Sequence, residues 1–264
     1  LMGYRQMIYY CIQVNNAEVM ENVIIAALKV CDNIGFDSEK AALLRFKALN
    51  RMMYSDYDGA HKSLMDSINL FEILNQRQNI YSVNIAAAYN YMGEIYRINQ
   101  KFEEAINYYD NAISICIKKG IIRGLTIFYT NAGRCAIDNN DYEKGEKYLK
   151  ESLFFYNKTN TLIGRAIAES LMALIKINKK CYDEGLQLLF DADKHVHIQN
   201  KAYELAVYNK VQAIIKYKMK DNMELKNIFS TYLNQNIDYY KIEAIRYFEK
   251  VNEIHEIEKL KKLK

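Results

Sequence analysis

An aromatic residue, two mostly charged residues and a small residue recur four times along the chain. The four segments are 57–60, 102–105, 142–145 and 182–185. In each segment an apolar residue follows seven positions after the aromatic, and a small residue comes three positions later. Such spacings place the side chains on one face of an α-helix. The pattern therefore predicts one amphipathic helix that is used four times, with small residues where a neighbouring helix packs closely.

A second helical pattern lies upstream of each of these segments. It is clearest as Tyr89-x-x-Met92-Gly93-x-x-Tyr96 and recurs more loosely from Tyr129 onward. Because the downstream aromatic positions are 40 to 45 residues apart, each period holds a pair of helices. The pattern predicts helix pairs, and a last single helix, at 1–15 and 17–33, 38–54 and 57–74, 78–98 and 102–118, 121–138 and 142–156, 162–177 and 182–197, 200–220 and 222–235, and 238–262.

The composition changes how these helices are expected to end. The chain of 264 residues has no proline, no tryptophan and only 10 glycines, which disfavours β-sandwich, collagen-like and disulfide-rich classes. Asparagine tolerates the left-handed conformation at a helix end. We therefore expect asparagine to form the turns within the pairs, and glycine or polar residues to separate successive pairs. The asparagines are Asn99, Asn139, Asn140, Asn178 and Asn222, and the separators are Gly35, Gly120, Gly124 and 157–160.

The Tyr89–Tyr96 pattern, followed by Phe102, Ala105 and Tyr109, resembles the tetratricopeptide repeat (TPR). The resemblance is strong over 41–197 and rests on period alone over 1–40 and 198–235. It implies an all-α fold, a right-handed α-solenoid of about six helix-turn-helix repeats with a C-terminal capping helix at 238–262. We expect one superhelical domain over 1–264. The chain departs from the family in lacking the closing proline and in its longer period, which predicts longer helices.

The sequence contains few residues or motifs that indicate catalysis or metal binding. No glycine-rich phosphate loop or known catalytic motif is present, and His195 and His197 lie on different faces of a helix, so we expect no enzyme activity, metal or cofactor. A net charge of +4 is too small to indicate nucleic-acid binding. Five scattered cysteines and the absence of a long apolar run predict a cytoplasmic protein that does not enter a membrane.

The TPR resemblance also implies which residues face the concave groove. In TPR arrays the first helix of each pair lines this groove, and the equivalent positions here carry amides, arginines and apolar residues. Asparagine amides can bond a peptide backbone, and arginine can bind a carboxylate in bidentate fashion. Acidic residues at Glu94 and Asp138 make the clamp incomplete. The expected binding residues are Asn90, Glu94, Arg97, Thr130, Asn131, Arg134, Lys210 and Tyr217, and further groove-facing positions are Ala87, Ile127, Asp138, Ile167, Ser170, Leu174, Val207 and Ile214.

Long-helix TPR arrays of this kind resemble the sensor regions of bacterial transcription regulators, including peptide-pheromone receptors. The resemblance implies a non-catalytic module that binds a peptide or protein in its groove. In such regulators a helix-turn-helix domain precedes the repeats, and none is recognisable here, so this segment is expected to make no direct nucleic-acid contact. The chain begins at Leu1 and is amphipathic from Tyr4 onward, so we expect a piece of a longer protein.

Two alternatives to a peptide- or protein-binding module stay open. The chain could be a structural adaptor or scaffold that bridges partners or self-associates, with a homodimer formed through the amphipathic helix at 238–262. A phosphatase, as in pheromone-controlled TPR phosphatases, would need a helical bundle with a catalytic glutamine that the sequence does not reveal.

Overall fold

A computed structural model describes residues 1–122 and 124–263, and this part of the chain contains α-helices and one 3-10 helix but no β-strand. The all-α prediction is confirmed. The helices are α1 (Met2–Gln13), α2 (Ala17–Ile34), α3 (Asp37–Met53), α4 (Tyr57–Gln78), α5 (Ser82–Ile98), α6 (Phe102–Lys118), α7 (Leu125–Asp138), α8 (Tyr142–Thr159), α9 (Arg165–Asn178), α10 (Tyr182–Gln199), α11 (Ala202–Lys218), the 3-10 turn Met219–Asp221, α12 (Met223–Phe229), α13 (Ile237–Lys250) and α14 (Ile254–Lys261).

The helices alternate along the chain as predicted, so the odd-numbered α1 to α11 are called A helices and the even-numbered α2 to α12 B helices. The repeated apolar and small positions of the B helices form the core. All eight are completely buried: Leu64, Ser67, Tyr109, Ala112, Leu149, Ser152, Leu189 and Ala192. The small residue allows close approach of a neighbour, since the Ser67 hydroxyl donates to the carbonyl of Ala41 on α3 at 2.7 Å.

The first five turns from an A helix to its B helix each contain one residue in the left-handed conformation, whereas the 3-10 turn Met219–Asp221 lies between α11 and α12. These residues have φ between 53° and 61° and are Asn15, Ser55, Gln100, Asn140 and Lys180. Of the asparagines predicted for these turns, only Asn140 has this conformation; Asn99 has φ −78° and Asn178 ends α9. A left-handed residue costs only about 1–2 kcal/mol for a side chain other than glycine, so helix packing can impose it on glutamine or lysine.

The turns from each B helix to the next A helix follow the prediction more closely. Glycine or asparagine takes the left-handed conformation there, at Gly35, Asn79, Gly120, Gly124, Asn160, Gly164 and Asn200. In the last turn within a pair, between α11 and α12, the predicted Asn222 is extended instead (φ −135°), and it begins α12 by accepting the Leu225 N–H at 2.9 Å. The lack of proline is thus compensated by side chains that tolerate or cap the helix ends.

The chain divides into two compact units, Leu1–Cys135 and Ala136–Lys264. In unit 1, α3 packs on α4 and α5 packs on α6. In unit 2, α9 packs on α10, and α13 packs along α11. The main apolar cluster of unit 2 runs from Leu149 on α8 to Leu260 on α14.

The C-terminal region differs from the single capping helix expected at 238–262. The structure has two helices there, α13 and α14, separated by a turn at 251–253. Asn252 is left-handed in this turn (φ 58°), which ends the first helix. The amphipathic pattern continues across the break, because Phe248 on α13 and Ile257 on α14 are both buried. Hydrophobic spacing therefore does not reveal the turn. The helix predicted at 222–235 is also shorter and ends at Phe229.

Candidate functional site

The predicted binding residues of unit 1 lie together on two A helices, α5 and α7. The Asn131 Nδ2 group on α7 donates a hydrogen bond to Asn90 Oδ1 on α5 at 3.0 Å. Asn90 is buried and Asn131 is half-buried. Within residues 1–122 and 124–263, Asn131 Oδ1 and Asn90 Nδ2 make no hydrogen bond, so the pair keeps one acceptor and one donor available.

A buried charge cluster stands beside this amide pair and is centred on Glu94. Its Oε2 atom accepts from Arg134 Nη2 on α7 and lies 3.2 Å from Arg97 Nη2 on α5. Its Oε1 atom accepts from the Tyr109 hydroxyl on α6. The side chains of Arg97 and Arg134 are only 1% and 7% exposed. The two arginines predicted to hold a ligand are therefore paired to a carboxylate of the chain itself.

The charge cluster fixes the protonation state of its members. Burial alone would raise the pKa of Glu94, but Arg134, Arg97 and the Tyr109 hydroxyl together outweigh burial and lower this pKa from 4.5 to about 2. Burial and the nearby Glu94 carboxylate raise the pKa of Tyr109 well above 10. At neutral pH Glu94 is therefore ionised while Tyr109 is a neutral hydrogen-bond donor.

The sequence places Tyr109 in this cluster through Gly93. A Cβ atom at Gly93 would lie 2.5 Å from the Tyr109 ring, so only glycine lets the ring pack against the backbone of α5. The ring then directs its hydroxyl to Glu94, the next residue along α5. The repeat periodicity predicted Tyr109 as a core position and did not predict its polar contact with Glu94.

The other predicted site residues have different surroundings. Thr130 is buried and its hydroxyl donates to the Thr126 carbonyl one turn earlier at 2.7 Å. In unit 2, Lys210 Nζ lies 2.5 Å from Glu256 Oε2 on α14. Tyr217 is exposed, and the ammonium group of Lys220 lies 5.3 Å from its ring centre.

A metal centre is not formed by the described residues, among which no three His, Cys, Asp or Glu side chains are grouped to hold an ion. His195 lies in unit 2, where its Nδ1 atom is 2.7 Å from Glu169 Oε2, and His197 is mostly exposed. The two rings thus have separate environments. No helix among the described residues has the length and apolar character needed to cross a membrane.

Comparison with known proteins finds one repeat in the C-terminal half of unit 1. The tetratricopeptide repeat profile matches residues 86–118, which cover most of α5 and all of α6. Asn90, Glu94, Arg97 and Tyr109 all lie within this match. No curated protein sequence matches the chain.

Solved structures share the fold over nearly the whole chain. RapI in its apo form aligns with a TM-score of 0.70 and 13% identity over 99% of this chain and 95% of its own. Aspartyl phosphate phosphatase F from Bacillus subtilis aligns with a TM-score of 0.69 and 12% identity over 97% and 69%. A Rap protein complexed with competence and sporulation factor aligns with a TM-score of 0.68 and 14% identity over 98% and 74%. The profile thus identifies one tetratricopeptide repeat at residues 86–118, and the solved structures show that the chain shares their fold.

Proposed function

We propose that this chain is a non-catalytic module that binds a peptide or protein, and that it serves as the sensing or interaction part of a bacterial regulator. The observation that carries the proposal is the Asn90–Asn131 pair on adjacent A helices. Its remaining acceptor and donor match the N–H and C=O groups of an extended peptide backbone.

The charge cluster gives this amide pair a rigid support. Arg97, Glu94 and Arg134 hold α5 and α7 through buried ionic contacts, so the amides are ordered before a ligand arrives. In this proposal Asn90 and Asn131 contact the peptide backbone, and the neighbouring charges orient its polar groups. Thr130 lies on the same helix as Asn131. Lys210 and Tyr217 are the proposed contacts in unit 2.

The regulatory part of the proposal rests on the fold. RapI and a Rap protein complexed with competence and sporulation factor share this fold over nearly the whole chain. Aspartyl phosphate phosphatase F shares it as well, and we propose for this chain binding without catalysis. We further propose that it acts in the cytoplasm, since four of its five free cysteines are buried as thiols.

Isothermal titration with a pool of peptides of random sequence tests this function. The full chain is titrated first, and the bound peptides are then titrated into Asn131→Ala, which removes the amide but leaves the charge cluster in place. We expect about a tenfold loss of affinity, because one or two backbone hydrogen bonds are lost. The matched control is Asn107→Ala, an exposed asparagine on α6. Equal binding by both variants, or no binding by the parent chain, would contradict the proposed site.

A second candidate function, a scaffold that self-associates, is favoured by the outer face of α13. Tyr239 and Ile242 are 47% and 63% exposed there, whereas Phe248 is buried within the chain. Light scattering of the parent chain and of Ile242→Asp tests it. A concentration-dependent dimer that the substitution abolishes would support the scaffold, and a monomer at high concentration would exclude assembly through this face.

A further inference from the structure

The A helices of unit 2 carry the positions expected to face the groove, and the side of these helices with those positions is called the A-helix face. In unit 2 this face is occupied by α14, a segment of the chain itself. Two residues expected to face the groove, Lys210 on α11 and Asp138 at the end of α7, both bind side chains of α14. Lys210 Nζ lies 2.5 Å from Glu256 Oε2, and Lys259 Nζ lies 3.1 Å from Asp138 Oδ2. One short helix thus supplies an anion to one A helix and a cation to another.

Buried apolar residues of α14 accompany these two ionic contacts. Ile257 and Leu260 on α14 are 8% and 2% exposed and belong to the same buried cluster as the α9 side chains. Residues 166–175 of α9 are all buried, and they include the three positions expected to face the groove. An amphipathic helix buries one face only, so burial all around α9 requires packing on every side. The helices α8, α10 and α11 pack on α9, and the buried apolar side chains of α14 belong to the same cluster.

The connection of α14 to the rest of the chain is suited to release. The helix α14 contains eight residues and follows the turn at Asn252, whose backbone is left-handed. A helix of this length is not stable alone in water, so it persists only through its contacts. The ionic contacts are unequal, because the Glu256 side chain is 2% exposed whereas that of Lys259 is 31% exposed.

We propose that α14 is an intramolecular occupant of the A-helix face of unit 2 and keeps this face closed as an autoinhibitory contact. A partner segment with the same chemistry, an amphipathic helix carrying a carboxylate, an apolar pair and an ammonium group spaced as in Glu256, Ile257, Lys259 and Leu260, binds when α14 is displaced. The inference concerns unit 2 and does not require that the amide pair of unit 1 binds a peptide.

A charge reversal within the full chain tests this proposal. In the double variant Glu256→Lys/Lys259→Glu, Lys210 and Asp138 each face a like charge, and the net charge of the chain is unchanged. The matched control is Glu258→Lys/Lys261→Glu, which reverses two exposed residues of the same helix. A third variant adds Lys210→Glu and Asp138→Lys to the first, which restores attraction at both contacts.

The first measurement is native-state hydrogen exchange. In the parent chain and the control, we expect α14 amides to exchange through a local opening that is faster than the opening of α9. In the charge-reversed variant, α14 should lose its protection while α9 and α10 stay folded, and the four-residue variant should regain protection. Exchange of α14 only with global unfolding in the parent chain would make it a structural cap and overturn the proposal.

The second measurement is fluorescence anisotropy with a labelled peptide of residues 253–263. Because an attached segment competes at an effective concentration in the millimolar range, we expect the peptide to bind the charge-reversed variant at least about tenfold more tightly than the parent chain or the control. Equal affinity for all three proteins would overturn the proposal. If the charge-reversed variant fails to fold, Lys259→Glu alone, at the more exposed contact, is used with the same two criteria.

Discussion

The A-helix faces of the two units come from the same kind of repeat, but one is polar and the other is apolar. On α5 in unit 1 the face is polar, and Glu94 pairs there with Arg97 and Arg134. On α9 in unit 2 the face is apolar, and Ile167, Leu171 and Leu174 are all buried. Polar groups can remain at a partly hydrated surface if they find partners, whereas an apolar face must be covered. In unit 1 the buried charges are therefore neutralised by ion pairs between A helices, whereas in unit 2 we propose that α14 closes the A-helix face.

The largest expected effect comes from breaking the charge cluster of unit 1. Glu94→Ala leaves two buried guanidinium groups without their carboxylate, so we expect a loss of about 3–5 kcal/mol in the free energy of unfolding. Urea denaturation measures it. Asp66→Ala, at an exposed carboxylate of α4, is the control and should change the value by less than about 0.5 kcal/mol. A similar small change for both variants would show that the cluster does not hold α5 to α7.

The pH dependence of stability is the next largest effect. Because the pKa of Glu94 is lowered from 4.5 to about 2, its stabilisation is complete above pH 4.5 and is lost as the pH falls toward 2. This difference corresponds to at most roughly 3 kcal/mol. Glu146 in unit 2, which Lys179, Lys150 and Lys176 hold at a pKa of about 2, contributes in the same direction.

The contribution of Glu94 can be separated by its amide variant. Urea midpoints of the parent chain and of Glu94→Gln are compared from pH 5 to pH 2.5. We expect the variant to lose less stability over this interval, because one titrating group is gone. Parallel curves would mean that Glu94 titrates alike in the folded and unfolded states.

A smaller effect is expected where α5 and α6 approach most closely. Gly93→Ala forces a Cβ atom against the Tyr109 ring, so the ring must shift, with an expected cost of about 1–3 kcal/mol. Gly3→Ala on α1 meets no atom within 4 Å and should stabilise the helix by about 0.5–1 kcal/mol. Thermal unfolding of the two variants should therefore shift in opposite directions. A stabilised Gly93→Ala variant would contradict the packing of this site.

The smallest effect is expected at the exposed end of the α14 contact. Lys259→Ala removes the ion pair with Asp138, and because the lysine is partly hydrated we expect a loss of no more than about 1 kcal/mol. The control Lys261→Ala, at an exposed residue of the same helix, should be neutral. Urea denaturation measures both. A loss comparable to that of Glu94→Ala would mean that the ion pair at α14 stabilises the chain as much as the buried charge cluster of unit 1 does.

Periodicity was sufficient to predict the helix pairs, because each B helix repeats the same apolar and small positions. Leu64, Tyr109, Leu149 and Leu189 are all completely buried, as their spacing predicts. The turns were less predictable: Gln100 and Lys180 take a conformation for which asparagine was expected. Turn conformation follows the packing of the helices that it joins, and the identity of a single residue is a weak guide to it.

The sequence by itself determined the all-α repeat architecture, which follows from spacing along helices, and its resemblance to the tetratricopeptide repeat predicted that Asn90, Glu94, Asn131 and Arg134 lie on neighbouring A helices. Tertiary structure alone decided which charges neutralise one another. Glu94 with Arg134 and Lys259 with Asp138 are 40 and 121 residues apart, and no local pattern encodes such pairs. Helical periodicity is a property of neighbouring residues, whereas the pairing of buried charges depends on how distant helices pack.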